Sequence, residues 1–195
     1  MTEVTKDDII TLPNQHLRQR SQKVSFVTPD ITQLVEDMQH ATIDWENSRE
    51  HEVGVALAAI QIDRPQRVVV IRNNFDDKDD HTFTVFINPV ITKYEGDIVT
   101  DYEGCLSVKR IYGKVPRYAK VRVKAMGLDG REFRVTAEGF LARIFQHEID
   151  HTNGIVFIDH IRDDTQGFYR LAEKGELEPL DYDSVIKDNA ELWES

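Results

Sequence analysis

The sequence predicts an α+β fold: antiparallel strands packed around a central helix that carries an HExxH motif. Three observations point to it. Clear helical apolar spacing opens at Thr28-Pro29 and again around Gln146-His147-Glu148-Ile149-Asp150-His151. Between those stretches lie short runs rich in β-branched and aromatic residues. Turn signals such as Gly127-Leu128-Asp129-Gly130 separate the runs, which favours hairpins over parallel crossovers.

Taken in order, residues 1–27 read as an irregular or extended lead-in with a turn at Leu12-Pro13-Asn14. Thr28 caps a helix with Pro29 at its first position, and Ile31, Leu34, Val35, Met38 and Ala41 form its apolar face to about Trp45. Gln66 to Arg72 is a strand, and the acidic loop 73–80 after it is read as solvated. Thr82 to Ile87 is a second strand, and Val90–Tyr94 and Ile98–Thr100 a pair joined around Gly96. Val121–Met126 and Glu132–Val135 flank the 127–130 turn. Thr136 is the expected cap of the motif helix, with Glu138 in its first turn and Gly154 ending it. A strand is expected over Ile155–Ile158, and Phe168, Tyr169 and Leu171 are expected to anchor a further helix.

A chain of 195 residues is long enough for one domain with a sizeable core. The division expected is a catalytic domain over 1–162 and an acidic extension of it, partly helical or mobile, over 163–195. Residues 161–195 hold ten acidic and four basic side chains, a net of −6 out of −11 for the chain. That charge argues against broad binding to nucleic acid or anionic membrane. No apolar run is long enough to cross a bilayer, the first residues do not read as a secretory signal, and the single cysteine, Cys105, fits a reducing cytoplasm.

Chemistry concentrates in the motif. Residues four apart on a helix share a face, so His147 and His151 can reach one metal ion. Glu148, beside the first histidine, is then free to act on a proton. Phe140 and Ile144 continue the histidine stripe toward the N-terminus. A catalytic zinc-like site needs a third protein ligand. Cys105 is one candidate, in Glu103-Gly104-Cys105-Leu106-Ser107, where Gly104 permits close approach and Glu103 positions the loop. Glu173 and Glu176, 22 and 25 residues beyond His151, are the alternative, in the manner of thermolysin-type peptidases. The small-residue run Gly54 to Gln61 reads as buried packing or as backbone passing close to a ligand, with Gln61 offering a donor.

Three segments in order resemble the three signatures of the peptide deformylases: Gly54–Gln61, Glu103–Ser107 and Gln146–His151. The stretches 12–18, 113–117 and 151–154 are similar as well, so the resemblance spans about residues 8–162. It implies hydrolysis of the N-formyl group from the first methionine of new polypeptides, releasing formate. It implies Cys105, His147 and His151 as ligands of one divalent ion, Fe²⁺ in vivo with Zn²⁺, Ni²⁺ or Co²⁺ as alternatives. Glu148 would be the general acid and base, and Gln61 and the backbone N–H of Leu106 the donors to the reacting oxygen. Gly54, Val55, Ala56 and Gly104 would line the substrate's backbone, and Phe140, Ile144 and the stem of Arg143 would form the methionine pocket, with Arg143 at its rim. The expected enzyme is a cytoplasmic monomer acting on formyl-methionyl peptides near the ribosome exit, with no direct nucleic-acid or membrane contact. Ala56 departs from the family, which has glycine there, and a β-carbon narrows the groove or resists a positive φ. The acidic tail also departs, since the family's C-terminal helix is often basic and docks on the ribosome. A non-catalytic binder of formylated peptides on the same fold is the second alternative.

Overall fold

The computed structural model describes residues 4–194. Among these, seven strands form one antiparallel sheet: β1 Ala56–Ala58, β2 Val68–Arg72, β3 Phe83–Cys105, β4 Val108–Met126, β5 Glu132–Glu138, β6 Phe168–Leu171 and β7 Leu177–Pro179. The order is β1-β2-β3-β4-β6-β7, with β5 paired to β4. Three α-helices accompany it: α1 Pro29–Asn47, α2 Gly139–His151 and α3 Ala190–Trp193.

The run Val68-Val69-Val70-Ile71 shows how the layers form. Successive strand residues face opposite ways, and here both faces are buried. Val68 and Val70 meet Leu34, Met38 and Trp45 of α1. Val69 and Ile71 join Ala142, Ile144, Phe145 and Ile149 of α2 in a second cluster. The two long helices therefore cover opposite faces of the sheet. A third cluster, from Val108, Val115, Phe157, Ile161, Phe168, Ile186 and Leu192, fastens the C-terminal extension to β4.

Several local expectations are corrected. The pair around Gly96 is one continuous strand, β3, whose pairing with β4 shifts between Glu95 and Ile98, with Gly96 at φ +76° in that irregularity. Thr136 does not cap α2; it pairs with Arg122 inside β5, and the helix opens after Glu138 without a side-chain cap. Gly154 does take a left-handed φ of +78° just past the helix. Ile155–Ile158 forms no strand: a 3₁₀ turn spans Phe157–Ile161 and sends Phe157, Ile158 and Ile161 into the third cluster. Phe168, Tyr169 and Leu171 lie on strand β6, because Tyr112 and Gly113 at the edge of β4 offer backbone partners. The 73–80 loop is more than solvated: Phe75 sets its ring edge-on to Phe140, with centroids 5.3 Å apart.

Candidate metal centre and active site

The two chain segments flanking the centre converge through backbone hydrogen bonds. Ile10 N–H donates to the carbonyl of Gln61 at 2.8 Å, and Leu12 N–H to that of Ser107 at 3.0 Å. The lead-in thereby ties the residues after β1 to those after β3. The α2 helix is held from the other side. Gln146 replaces a strand neighbour at Tyr118 of β4, accepting from its N–H at 3.0 Å and donating to its carbonyl at 2.9 Å.

At the convergence stand Cys105, His147 and His151, with all three potential ligand atoms within 4.8 Å of one another. Cys105 Sγ lies 3.2 Å from His151 Nε2, which lies 3.2 Å from His147 Nε2. Both imidazoles are buried. The chemistry of this donor set fits a divalent transition metal: a soft thiolate and two imidazoles leave one position of a tetrahedron open. Glu173 and Glu176 sit exposed in the turn between β6 and β7, outside this group.

Glu103 holds the assembly together. Its carboxylate accepts from His147 Nδ1 at 2.9 Å, from Arg117 Nε and Nη2 at 2.9 and 3.1 Å, and from Arg143 Nη1 at 2.8 Å. Burial alone raises the pKa of this carboxyl, but the bonds and charges of His147 and Arg117 outweigh it and hold Glu103 ionised. Such a carboxylate orients the imidazole and makes its far nitrogen a better ligand. Burial opposes protonation of His147 too, yet its bonds to Cys105 and Glu103 favour the charged form. His151, desolvated and beside His147, is pushed toward the neutral form. Two imidazoles this close do not both carry a charge without opposing one another.

Glu148 is buried, and its Oε2 has no hydrogen-bond partner among the described residues. Burial pushes its pKa up to about 7 against the opposing pull of His147, with lesser upward contributions from the charges of Glu103 and Asp150. A carboxyl poised there suits proton transfer near neutral pH. Gln61 is fixed by its own backbone turn: its Oε1 accepts from Ala58 N–H at 2.9 Å, leaving Nε2 directed at Ser107 Oγ, 3.1 Å away, and Cys105 Sγ, 3.6 Å away.

A cleft of about 280 Å³ opens on this centre. Gln61, Gly104, Cys105, Leu106, His147 and Glu148 line it at the centre, Val55 and Ala56 along β1, and Phe140, Arg143 and Ile144 along α2. A β-carbon at Gly54 would lie 2.7 Å from the carbonyl oxygen of Thr42, so this glycine lets the chain entering β1 pack on α1. Arg143 lines the cleft while its guanidinium is buried on Glu103 and on the carbonyls of Val99 and Val115, both at 2.7 Å. Ala56 needs no positive φ; it pairs with Ile71 as ordinary strand. The sequence reading missed Arg117 and Ser107 as individuals, although both lie in the stretches 113–117 and 103–107 that carried the resemblance.

An antiparallel sheet with an HExxH helix on one face and a cysteine from a neighbouring strand defines a metal-dependent hydrolase. The sequence profile of the Polypeptide deformylase family matches residues 6–167. The chain is 42% identical over 158 residues to the peptide deformylase of Agrobacterium fabrum, covering 81% of this chain and 88% of that protein. It superposes with a TM-score of 0.73 and 31% identity on the actinonin complex of the peptide deformylase from Synechococcus elongatus, over 84% of this chain and 89% of that one. For the peptide deformylase from Legionella pneumophila the values are 0.70 and 37%, over 80% and 85%. The chain belongs to the peptide deformylase family: it is a hydrolase that removes the formyl group from the N-terminal methionine of newly made polypeptides.

Proposed function

We propose that this reaction runs at the Cys105, His147 and His151 centre, with Fe²⁺ as the native ion and Zn²⁺, Ni²⁺ or Co²⁺ able to replace it. When bound there, a divalent ion polarises a carbonyl and lowers the pKa of water toward neutrality. The rest falls to the chain's own groups. Glu148 takes the proton of the attacking water and passes it to the departing amine nitrogen, so that formate and a free N-terminus result. Its unpartnered buried oxygen supports this role. The Nε2 of Gln61 and the backbone N–H of Leu106 donate to the formyl oxygen as it gains charge, and loss of such a donor typically costs about 10²–10³ in rate. Val55, Ala56 and Gly104 run beside the substrate's backbone, while Phe140, Ile144 and the buried stem of Arg143 receive the methionine side chain.

We read residues 1–162 as the catalytic domain and 163–195 as its extension, with α2 as the element around which the strands are organised. The enzyme is further proposed to be a cytoplasmic monomer that meets formyl-methionyl chains near the ribosome exit, without binding nucleic acid or membrane. A lone cysteine and a net charge of −11 support that setting.

The single observation that carries the catalytic reading is the grouping of Cys105 with both motif histidines beside Glu148. Its test is formate release from formyl-Met-Ala-Ser by protein prepared without oxygen and loaded with Fe²⁺. Glu148→Ala is expected to keep the metal and lose about 10²–10⁴ in kcat. An active Glu148→Ala would remove Glu148 from the chemistry.

A further inference from the structure

The cleft has a further wall. Besides the residues at the centre and along β1 and α2, it is lined by Trp45, Val53, Tyr102, Tyr112 and Leu177, with Trp45 and Tyr112 close to Cys105. Leu177 belongs to the β6–β7 hairpin, beyond the 6–167 span that matches the family. This hairpin is anchored at its base, where Phe168 is buried in the third cluster with ring contacts to Tyr182 and Trp193. The Tyr169 ring meets Tyr102 edge-on with centroids 4.9 Å apart, and Lys114 Nζ lies 5.1 Å from both rings. At the tip, Gly175 lies against the His51 ring; a β-carbon there would be 3.4 Å from its Cγ. The hairpin therefore runs from the edge of β4 to the loop joining α1 and β1. Tyr112 hydrogen-bonds Glu52 on that loop through its hydroxyl, which leaves the ring as an apolar surface for the cleft.

A peptide whose formyl group reacts at Cys105, His147 and Glu148, with its methionine on α2, leaves this wall for its following residues. We infer that Leu177 is a specificity-determining residue: with Tyr102 and Tyr112 it forms an apolar wall that takes an apolar side chain one or two residues after the formylmethionine. The inference deepens the catalytic reading above and rests on it.

The test compares kcat/KM for formyl-Met-Ala-Ser, formyl-Met-Leu-Ser and formyl-Met-Ala-Leu, using the metal-loaded full chain. The wild type prefers at least one leucine peptide over formyl-Met-Ala-Ser. In Leu177→Ala that preference falls roughly fourfold, the worth of about one buried methylene, and the change lies in KM. Leu177→Met, which keeps an apolar side chain of similar size, retains the preference. Equal effects of Leu177→Ala on all three peptides, as a general loosening of the fold would produce, overturn the inference. So does an unchanged preference. Absence of formate from every peptide with the wild type would instead overturn the catalytic reading, and the wall with it.

Discussion

Replacing Glu46 by alanine should be among the most damaging changes outside the catalytic centre. Its carboxylate is buried at the end of α1, and its Oε2 accepts from Arg72 Nη1 at 2.5 Å and from Gly54 N–H at 2.8 Å. Arg72 is 2% exposed, and its remaining donors reach only neutral carbonyls, Lys78 at 2.6 Å and Asp80 at 2.7 Å. Without Glu46 the guanidinium stays buried with no carboxylate hydrogen-bonded to it and only the exposed charge of Asp80 nearby, and Gly54 N–H loses its acceptor. Breaking a buried pair from one side costs about 3–5 kcal/mol. For a chain of this size each kcal/mol moves Tm by about 2–4 °C, so a fall of about 6–20 °C is expected. Glu46→Gln with Arg72→Met removes both charges but keeps an acceptor for Gly54, and should recover at least half of the loss. The assay is urea and thermal unfolding of the metal-loaded wild type, Glu46→Ala, Glu46→Gln, Arg72→Met and the Glu46→Gln/Arg72→Met double variant. Because Gly54 leads directly into Val55 and Ala56 at the cleft, kcat/KM of Glu46→Ala should fall as well. A loss below about 1 kcal/mol, the range of exposed pairs, would refute the reasoning. Strictly additive single effects would refute it too, since coupled partners do not add.

Cys105→Ala should abolish stoichiometric metal binding, measured by elemental analysis, whereas Glu173→Ala and Glu176→Ala should retain it; the reverse pattern would restore the peptidase-like ligand set. Glu103→Gln should weaken metal affinity about 10–100-fold, as loss of a carboxylate behind a ligating histidine does, and a chelator competition reads that directly. Gly104→Ala would bring a β-carbon to 2.6 Å from the Tyr112 ring, so the ring must leave its place beside the cleft. Its KM for formyl-Met-Ala-Ser should rise several-fold with the metal content unchanged, and an unaltered KM would show that this contact does not shape the cleft.

The histidine pair was legible in the sequence because it is written in local spacing. A four-residue repeat puts His147 and His151 on one helical face whatever surrounds them. The Thr28-Pro29 start and the turn at 127–130 likewise follow from backbone preferences of a few adjacent residues. The choice of Cys105 over Glu173 or Glu176 was open on spacing alone, and only the tertiary structure brings its sulfur beside the two imidazoles. The same holds for Glu103, whose partners lie 14, 40 and 44 residues away, and for Glu46, whose partner lies 26 away. Buried charges find each other through the register of a folded sheet, which no local pattern encodes. Phe168-Tyr169-Arg170-Leu171 makes the same point for secondary structure. A short apolar run suits helix or strand, and the free edge of β4 at Tyr112 and Gly113 decided it. That decision places Leu177 against the cleft, because the unpaired backbone groups at the edge of β4 template pairing with β6, which in turn pairs with β7.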